Sequence, residues 1–311
     1  MVGKSIYKSL RESGYQNLLT ISREELDLVE VEKVNKWFKK NMPSVVIIAA
    51  ARVGGIMANK NNPVEFLLDN LKIQNNLIEA SFKNNVRRLL FLGSSCIYPK
   101  YATQPIQEES LLTGTLESSN DSYAIAKIAG IKLCEAMRKQ YNFDAICLMP
   151  TNLYGPGDNY HLENSHVIPS LLRKFHEAKI QNKEYVTCWG TGKPMREFLH
   201  VNDLGKACKF VLEDWYPDLN SEDFALNFLN VGTGKDLSIK DLAILIAKIT
   251  SYKGEIRWDT IKPDGTPKKL LDISRITKLG WQPTISLEEG LSHTYEDFCN
   301  QINKKDHNIR L

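Results

Sequence analysis

Tyr123 and Lys127 stand four residues apart in Ser122-Tyr123-Ala124-Ile125-Ala126-Lys127. The stretch reads as helix, so both side chains project from one face about one turn apart. An ammonium beside a phenol favours the phenolate and is expected to lower the tyrosine pKa. That would make Tyr123 a proton donor and acceptor near neutral pH. Alone, the pair would equally suit an ordinary amphipathic helix. A second stretch shifts the balance: Gly93-Ser94-Ser95-Cys96-Ile97-Tyr98-Pro99 follows directly on an apolar run and is expected to face a crevice. A Ser94 hydroxyl there can donate to a substrate carbonyl while Tyr123 protonates the same oxygen. A third, Pro150-Thr151-Asn152, follows the next apolar run.

The elements that must position these residues follow from hydrophobic spacing. Val2, Ile6 and Leu10 open an amphipathic helix that ends near Gly14. Leu18–Ile21 is a short apolar run, and a helix through Val34, Trp37 and Phe38 leads to the continuous run Val45–Ala50, expected as a strand buried on both faces. A helix over 63–84, a strand at 89–92, a helix over 122–141 and a strand at 145–149 complete the alternation. That rhythm predicts a Rossmann-type α/β fold with a doubly wound parallel sheet and a ligand crevice at the carboxyl ends of its strands. After Pro150 the pattern loosens into helices at 167–179 and 201–213 and strands near Val186 and Phe228. Ser238 and Asp241 cap a helix through Ile249, and a terminal helix starts at Leu287. Residues 1–165 are expected to bind the dinucleotide and 166–311 to form a smaller substrate-binding region.

At 311 residues, with 42% hydrophobic and 25% charged residues, the chain has the composition of a water-soluble globular protein. A formal charge of +3 gives no argument for nucleic acid, and the basic pair Lys304-Lys305 lies in the tail. No apolar run reaches membrane-spanning length. The six cysteines are scattered with no C-x-x-C pair, which predicts neither a metal site nor a disulfide framework and suits a reducing cytoplasm.

Longer blocks carry a family likeness. Ser94, Tyr123 and Lys127 resemble the catalytic triad of the extended short-chain dehydrogenase/reductases. Gly93–Lys100, Tyr123–Glu135, Met149–Pro156, Asn164–Pro169, Pro194–His200 and Lys262–Pro267 resemble GDP-L-fucose synthase across nearly the whole chain. The resemblance implies an NADPH-dependent enzyme, a homodimer, that epimerises C3 and C5 of GDP-4-keto-6-deoxy-D-mannose and then reduces C4. Both inverted carbons are α to the ketone, so inversion needs a base on one face and an acid on the other. The family assigns these roles to the residues matching Cys96 and His166. Read alone, Cys96 is as well a small buried hydrophobe, and His166 a loop or capping histidine.

For the cofactor, Arg23 lies just past Leu18–Ile21, where NAD enzymes usually carry an acid and an arginine accommodates a 2′-phosphate. An exposed turn arginine would look the same. The resemblance places Gly3 at the phosphates, Asp27 and Leu28 at the adenine, and Pro150, Thr151, Asn152, Leu153 and His166 at the nicotinamide. It adds Leu92, Gly93, Ser94, Ser95 and Lys127 to the cofactor site. It puts Lys174, Trp189, Arg196 and Asp264 at the GDP-sugar, with Trp189 offering a ring and Arg196 a fork for phosphate. The family commonly has arginine at 174, and a lysine keeps the charge without the bidentate geometry.

The family opens with a strand and a glycine-rich turn, whereas this chain starts at Met1-Val2-Gly3. In the strand order 3-2-1-4-5-6, the expected consequence is a gap between the runs at 18–21 and 89–92, with poor stability and weak NADPH binding. Two other functions fit the fold. One is a sugar-nucleotide 4,6-dehydratase, which usually carries an acidic pair where this chain has Ser95-Cys96. The other is a truncated, non-catalytic sugar-nucleotide binder.

Overall fold

The computed structural model describes residues 1–161, 165–217, 227–262 and 264–303. Asn164, in one of the resemblance blocks, Pro263 in another, and the Lys304-Lys305 pair lie outside the described residues. The central sheet is parallel, in the order β1 (Val45–Ile48), β2 (Arg88–Leu92), β3 (Ala145–Pro150) and β7 (Phe228–Val231). Period-two alternation divides these strands between two cores. Leu89, Phe91, Ala145, Cys147, Met149 and Phe228 join one, and Leu90, Leu92, Ile146, Leu148, Leu229 and Val231 the other. The first is covered by α2 (Val31–Asn41), α4 (Pro63–Lys83) and α5 (Asp121–Tyr141), the second by α1 (Val2–Glu12), α7 (Val201–Asp214) and α9 (Ser274–Lys278). Short α3 (Ile56–Asn61) precedes α4. The helices fall within two residues of the expected bounds except the terminal one, expected over 287–298 and running to Asn303, and Ser238 caps α8 (Ile239–Thr250) by accepting from the Asp241 amide.

Three expectations about the front of the sheet fail. The run at 89–92 is paired on both sides, with Leu90 facing Ile47 on one strand and Ile146 on the other. No gap interrupts the sheet there. Leu18–Ile21 forms no strand: Leu19 and Ile21 are exposed, and among the described residues the run has no ladder partner. An apolar run without a neighbouring edge gains nothing from extending. β1 is the sheet's edge, half-buried except at Ile48, so the expectation of burial on both faces also fails.

A third core lies beyond the sheet, built from α6 (Val167–Ile180), α8, α10 (Leu287–Asn303), β5 (Tyr185–Trp189) and β6 (Met195–His200). β6 pairs with β4 (Asn152–Tyr154), β8 (Asp236–Ser238) and β10 (Lys268–Lys269), and β5 pairs with β9 (Glu255–Asp259). The chain does not part cleanly at residue 165, because α7 and β7 return to the first sheet after it.

Candidate active site

The carboxyl ends of β2 and β3 and the first turns of α5 meet at one place. Gly93 leaves β2 against β3, its amide donating to Leu148 O at 2.9 Å, and any Cβ there would collide with the Met149 thioether. The turn that follows is short and capped. Ser94 is extended, its hydroxyl accepts from the Cys96 amide at 3.2 Å, and Ser95–Ile97 coil into a single 3₁₀ turn. That turn holds Cys96 half-buried, with Asn120 Nδ2 3.3 Å and Lys269 Nζ 3.7 Å from its sulfur.

α5 delivers the tyrosine and lysine as the spacing predicts. Lys127 is 3% exposed, and its Nζ donates to Leu92 O at 2.9 Å and lies 4.7 Å from the Phe91 ring. Burial lowers its pKa to about 8. The electrostatics of Tyr123 differ from the sequence expectation. Its phenol is held well above the ordinary value, first by burial and then by the nearby Cys96, with a hydrogen bond to Ser94 opposing. The Lys127 ammonium is 5.8 Å from the tyrosine ring and spends a hydrogen bond on the β2 carbonyl, so desolvation wins. Tyr123 is therefore poised as a proton donor.

On the far side of β3, Thr151 and Asn152 are fixed through one acceptor: Thr151 Oγ1 and Asn152 Nδ2 donate to Glu197 O at 3.3 and 2.8 Å. Leu153 packs into the second face of the sheet. The expected substrate residues gather around β5 and β6. Lys174 Nζ stands 5.0 Å from the Trp189 ring, and burial lowers its pKa. Its neighbour Arg173 is turned away onto Glu177 and Tyr160 O, so of the two it is Lys174 that reaches the indole, which Lys262 also approaches at 5.2 Å. Arg196 is depressed by burial and drawn back by the charges of Cys96, Asp264 and Glu117, which places it between sulfur and carboxylate. Asp264 accepts from Thr191 N and Oγ1 at 2.9 and 2.6 Å, fastening its loop to the turn after Trp189.

His166 is not brought to the sulfur. It is the exposed N-cap of α6, and among the described residues Cys96 Sγ meets Asn120 and Lys269. At the front, Gly3 lies in the first turn of α1 with open space around it. Arg23 stands exposed in a turn and has no carboxylate partner among the described residues. Leu28 packs against the first core and Asp27 Oδ1 accepts from Val29 N. A free guanidinium, an open glycine and a buried ammonium among strand-end hydroxyls suit a phosphorylated dinucleotide.

Asn120 and Lys269 escaped the sequence reading. Asn120 sits three residues before Tyr123, at the N-cap of α5, where it reads as a capping residue. Lys269 is 173 positions from Cys96, and only the alternation of a Lys-Lys pair along a strand could have hinted that one ammonium turns inward.

Residues 1–226 match the family model of the NAD dependent epimerase/dehydratase family. The chain is 51% identical over 302 residues to GDP-L-fucose synthase of Escherichia coli (strain K12), covering 96% of this chain and 93% of that protein. It is 50% identical over 302 residues to GDP-L-fucose synthase 1 of Arabidopsis thaliana, covering 97% and 91%. The solved structure of MlghC, a GDP-mannoheptose C4 reductase from Campylobacter jejuni with NADP bound, matches with a TM-score of 0.87 at 35% identity, covering 96% of this chain and 95% of that one. With likeness over almost its entire length, the chain belongs to the NAD dependent epimerase/dehydratase family and, within it, to the GDP-L-fucose synthases.

Proposed function

We infer that the protein converts GDP-4-keto-6-deoxy-D-mannose to GDP-L-fucose, inverting C3 and C5 and reducing C4 with NADPH. The observation that carries this reading is the setting of Cys96. A simple reductase needs only Ser94, Tyr123 and Lys127. A thiol held two residues from Ser94, between an amide and an ammonium, is the additional acid or base that inversion demands.

Removing the proton at C3 or C5 places charge on the C4 oxygen, and Ser94 and Tyr123 stabilise it there. Cys96 takes or returns the proton on one face, and His166 serves the other. When bound, NADPH supplies hydride to C4. Tyr123, kept protonated by its buried surroundings, donates to the C4 oxygen, and Lys127 offers a cation beside the phenolate left behind. Gly3, Arg23, Asp27 and Leu28 would hold the adenosine end of NADP. Leu92–Ser95, Lys127, Pro150–Leu153 and His166 would hold the nicotinamide end. Trp189 stacks on the base, Lys174 and Arg196 meet the diphosphate, and Asp264 keeps the Trp189 turn in place.

The protein acts as a cytoplasmic homodimer, without membrane or nucleic-acid partners. Its free cysteines suit a reducing compartment. Val64 and Leu68 on α4 and Ile125 on α5, all exposed, form the apolar face that a second copy covers. Sedimentation velocity checks this: the parent should run as a dimer that Leu68→Asp splits. For the activity, the purified chain is incubated with the keto-sugar and NADPH. Stoichiometric NADPH oxidation with GDP-L-fucose as product is expected. A reduced sugar that keeps the original configuration at C3 and C5 would contradict the epimerase half.

A further inference from the structure

The strand bearing Lys269 is short and needs outside help to hold its register. β10 has two residues, with Lys268 facing Met195 and Lys269 facing Arg196 on β6. Successive side chains point to opposite faces, so a slip of one residue would exchange the two ammonium groups. Their present assignments differ: Lys268 pairs with Asp236 at 3.2 Å, whereas Lys269 approaches Cys96. On the edge away from β6, no strand among the described residues lies beside β10. The side chain of Gln104 stands in its place. Its Oε1 accepts from Leu270 N at 2.8 Å and its Nε2 donates to Lys268 O at 3.2 Å, bracketing Lys269 on both sides. Beyond this bracket the backbone takes over, with Ile106 N donating to Leu270 O and Asp272 N to Ile106 O. Buried Glu197 accepts from Leu271 N at 3.1 Å.

We propose that Gln104 is a positioning residue whose carboxamide fixes the register of the strand and so holds the Lys269 ammonium against Cys96. The charges around the sulfur explain why register matters. Tyr123 faces it from α5 and Arg196 from β6. Lys100 and Lys268 line the small cavity beside it, but Lys100 is paired with Glu117 at 2.9 Å and Lys268 with Asp236. Lys269 has no carboxylate partner among the described residues, and its ammonium stands 3.7 Å from the thiol sulfur. An ammonium there can hydrogen-bond a sulfur that bears negative charge, the nucleophilic and basic form. The proposal rests on the reading of Cys96 as an acid–base residue for its functional meaning, but not for its test.

The test is a double-mutant cycle on the intact protein, without substrate. Gln104→Met, Lys269→Met and the double variant are treated with iodoacetamide, and alkylation of Cys96 is followed by peptide mass spectrometry, with half-buried Cys299 as internal reference. At pH 7 Lys269→Met should slow the reaction about 10-fold and Gln104→Met roughly 3-fold. In the Lys269→Met background Gln104→Met should add nothing. At pH 10, where thiols ionise without help, the deficits should close. Equal slowing by Gln104→Met in both backgrounds, no slowing, or a deficit that persists at pH 10 would overturn the proposal. If Gln104→Met fails to fold, Gln104→Asn, with its amide one methylene short, enters the same cycle. A coupled cycle in a protein that exchanges no deuterium at C3 and C5 would keep the clamp and remove the epimerase reading instead.

Discussion

The two ends of the crevice solve opposite problems. Around Ser94, Tyr123 and Lys127 the surroundings are dry, and the anchors are backbone: Lys127 is 3% exposed and tied to Leu92 O, and Ser94 caps its own turn. Around Trp189 the ring and its loop are open to water. The indole is 46% exposed, flanked by Lys174 and Lys262 at 5.0 and 5.2 Å, and steadied by an exposed Asp264. Proton and hydride transfer need fixed donors in a low dielectric, where electrostatic stabilisation is strongest. Recognition of a charged nucleotide tolerates water, because its contacts are made by long cations and one ring. Arg196 joins the ends, sensing both Cys96 and Asp264.

If this contrast holds, disturbing the dry end should cost rate and disturbing the wet end should cost affinity. The largest effect is expected for Tyr123→Phe, which removes the positioned acid. Reduction should fall by about 10²–10⁴-fold with substrate binding nearly intact. Near-normal turnover would end the assignment.

Next comes the cost of keeping Lys127 dry. Its pKa is near 8 in the folded protein and about 10.4 when unfolded. Between those values the unfolded chain holds more protons, so stability rises with pH across that window. Relative to Lys127→Met, the parent should gain on the order of 3 kcal/mol between pH 8 and 10.5, read from denaturant unfolding at each pH. A flat or falling difference would mean the ammonium is better solvated than its burial indicates.

At the wet end, Trp189→Ala should raise KM about 10-fold with little change in kcat, since base–aromatic stacking contributes roughly 1–3 kcal/mol. A loss confined to kcat would erase the distinction between the two ends. The smallest effect belongs to Arg23→Ala, expected to weaken NADPH several-fold more than NADH because only NADPH carries the 2′-phosphate. Equal losses for both, measured by fluorescence titration, would leave Arg23 an ordinary turn residue.

The same contrast explains what could be read from the sequence. Residues whose placement follows from local spacing were legible: Tyr123 and Lys127 one turn apart, Ser94 at a strand end, Ser238 with Asp241 at a helix start. The apolar runs that became β2 and β3 were equally plain, but their division between two cores was not. Properties that depend on what surrounds a residue were not. Burial reversed the expected direction for Tyr123, and neighbours far along the chain, Asn120 and Lys269, shape the setting of Cys96. Leu18–Ile21 misled for a related reason: an apolar run becomes a strand only where an edge receives it.

The account rests most heavily on Cys96 as the group that adds inversion to reduction. The direct measurement is deuterium incorporation at C3 and C5 of the keto-sugar in D₂O, with NADPH oxidation followed separately, in the parent and in Cys96→Ser. A serine hydroxyl is a far weaker base than a thiolate, so exchange should collapse in the variant while its capacity for hydride transfer to C4 persists. Undiminished exchange at both carbons in Cys96→Ser would contradict the account.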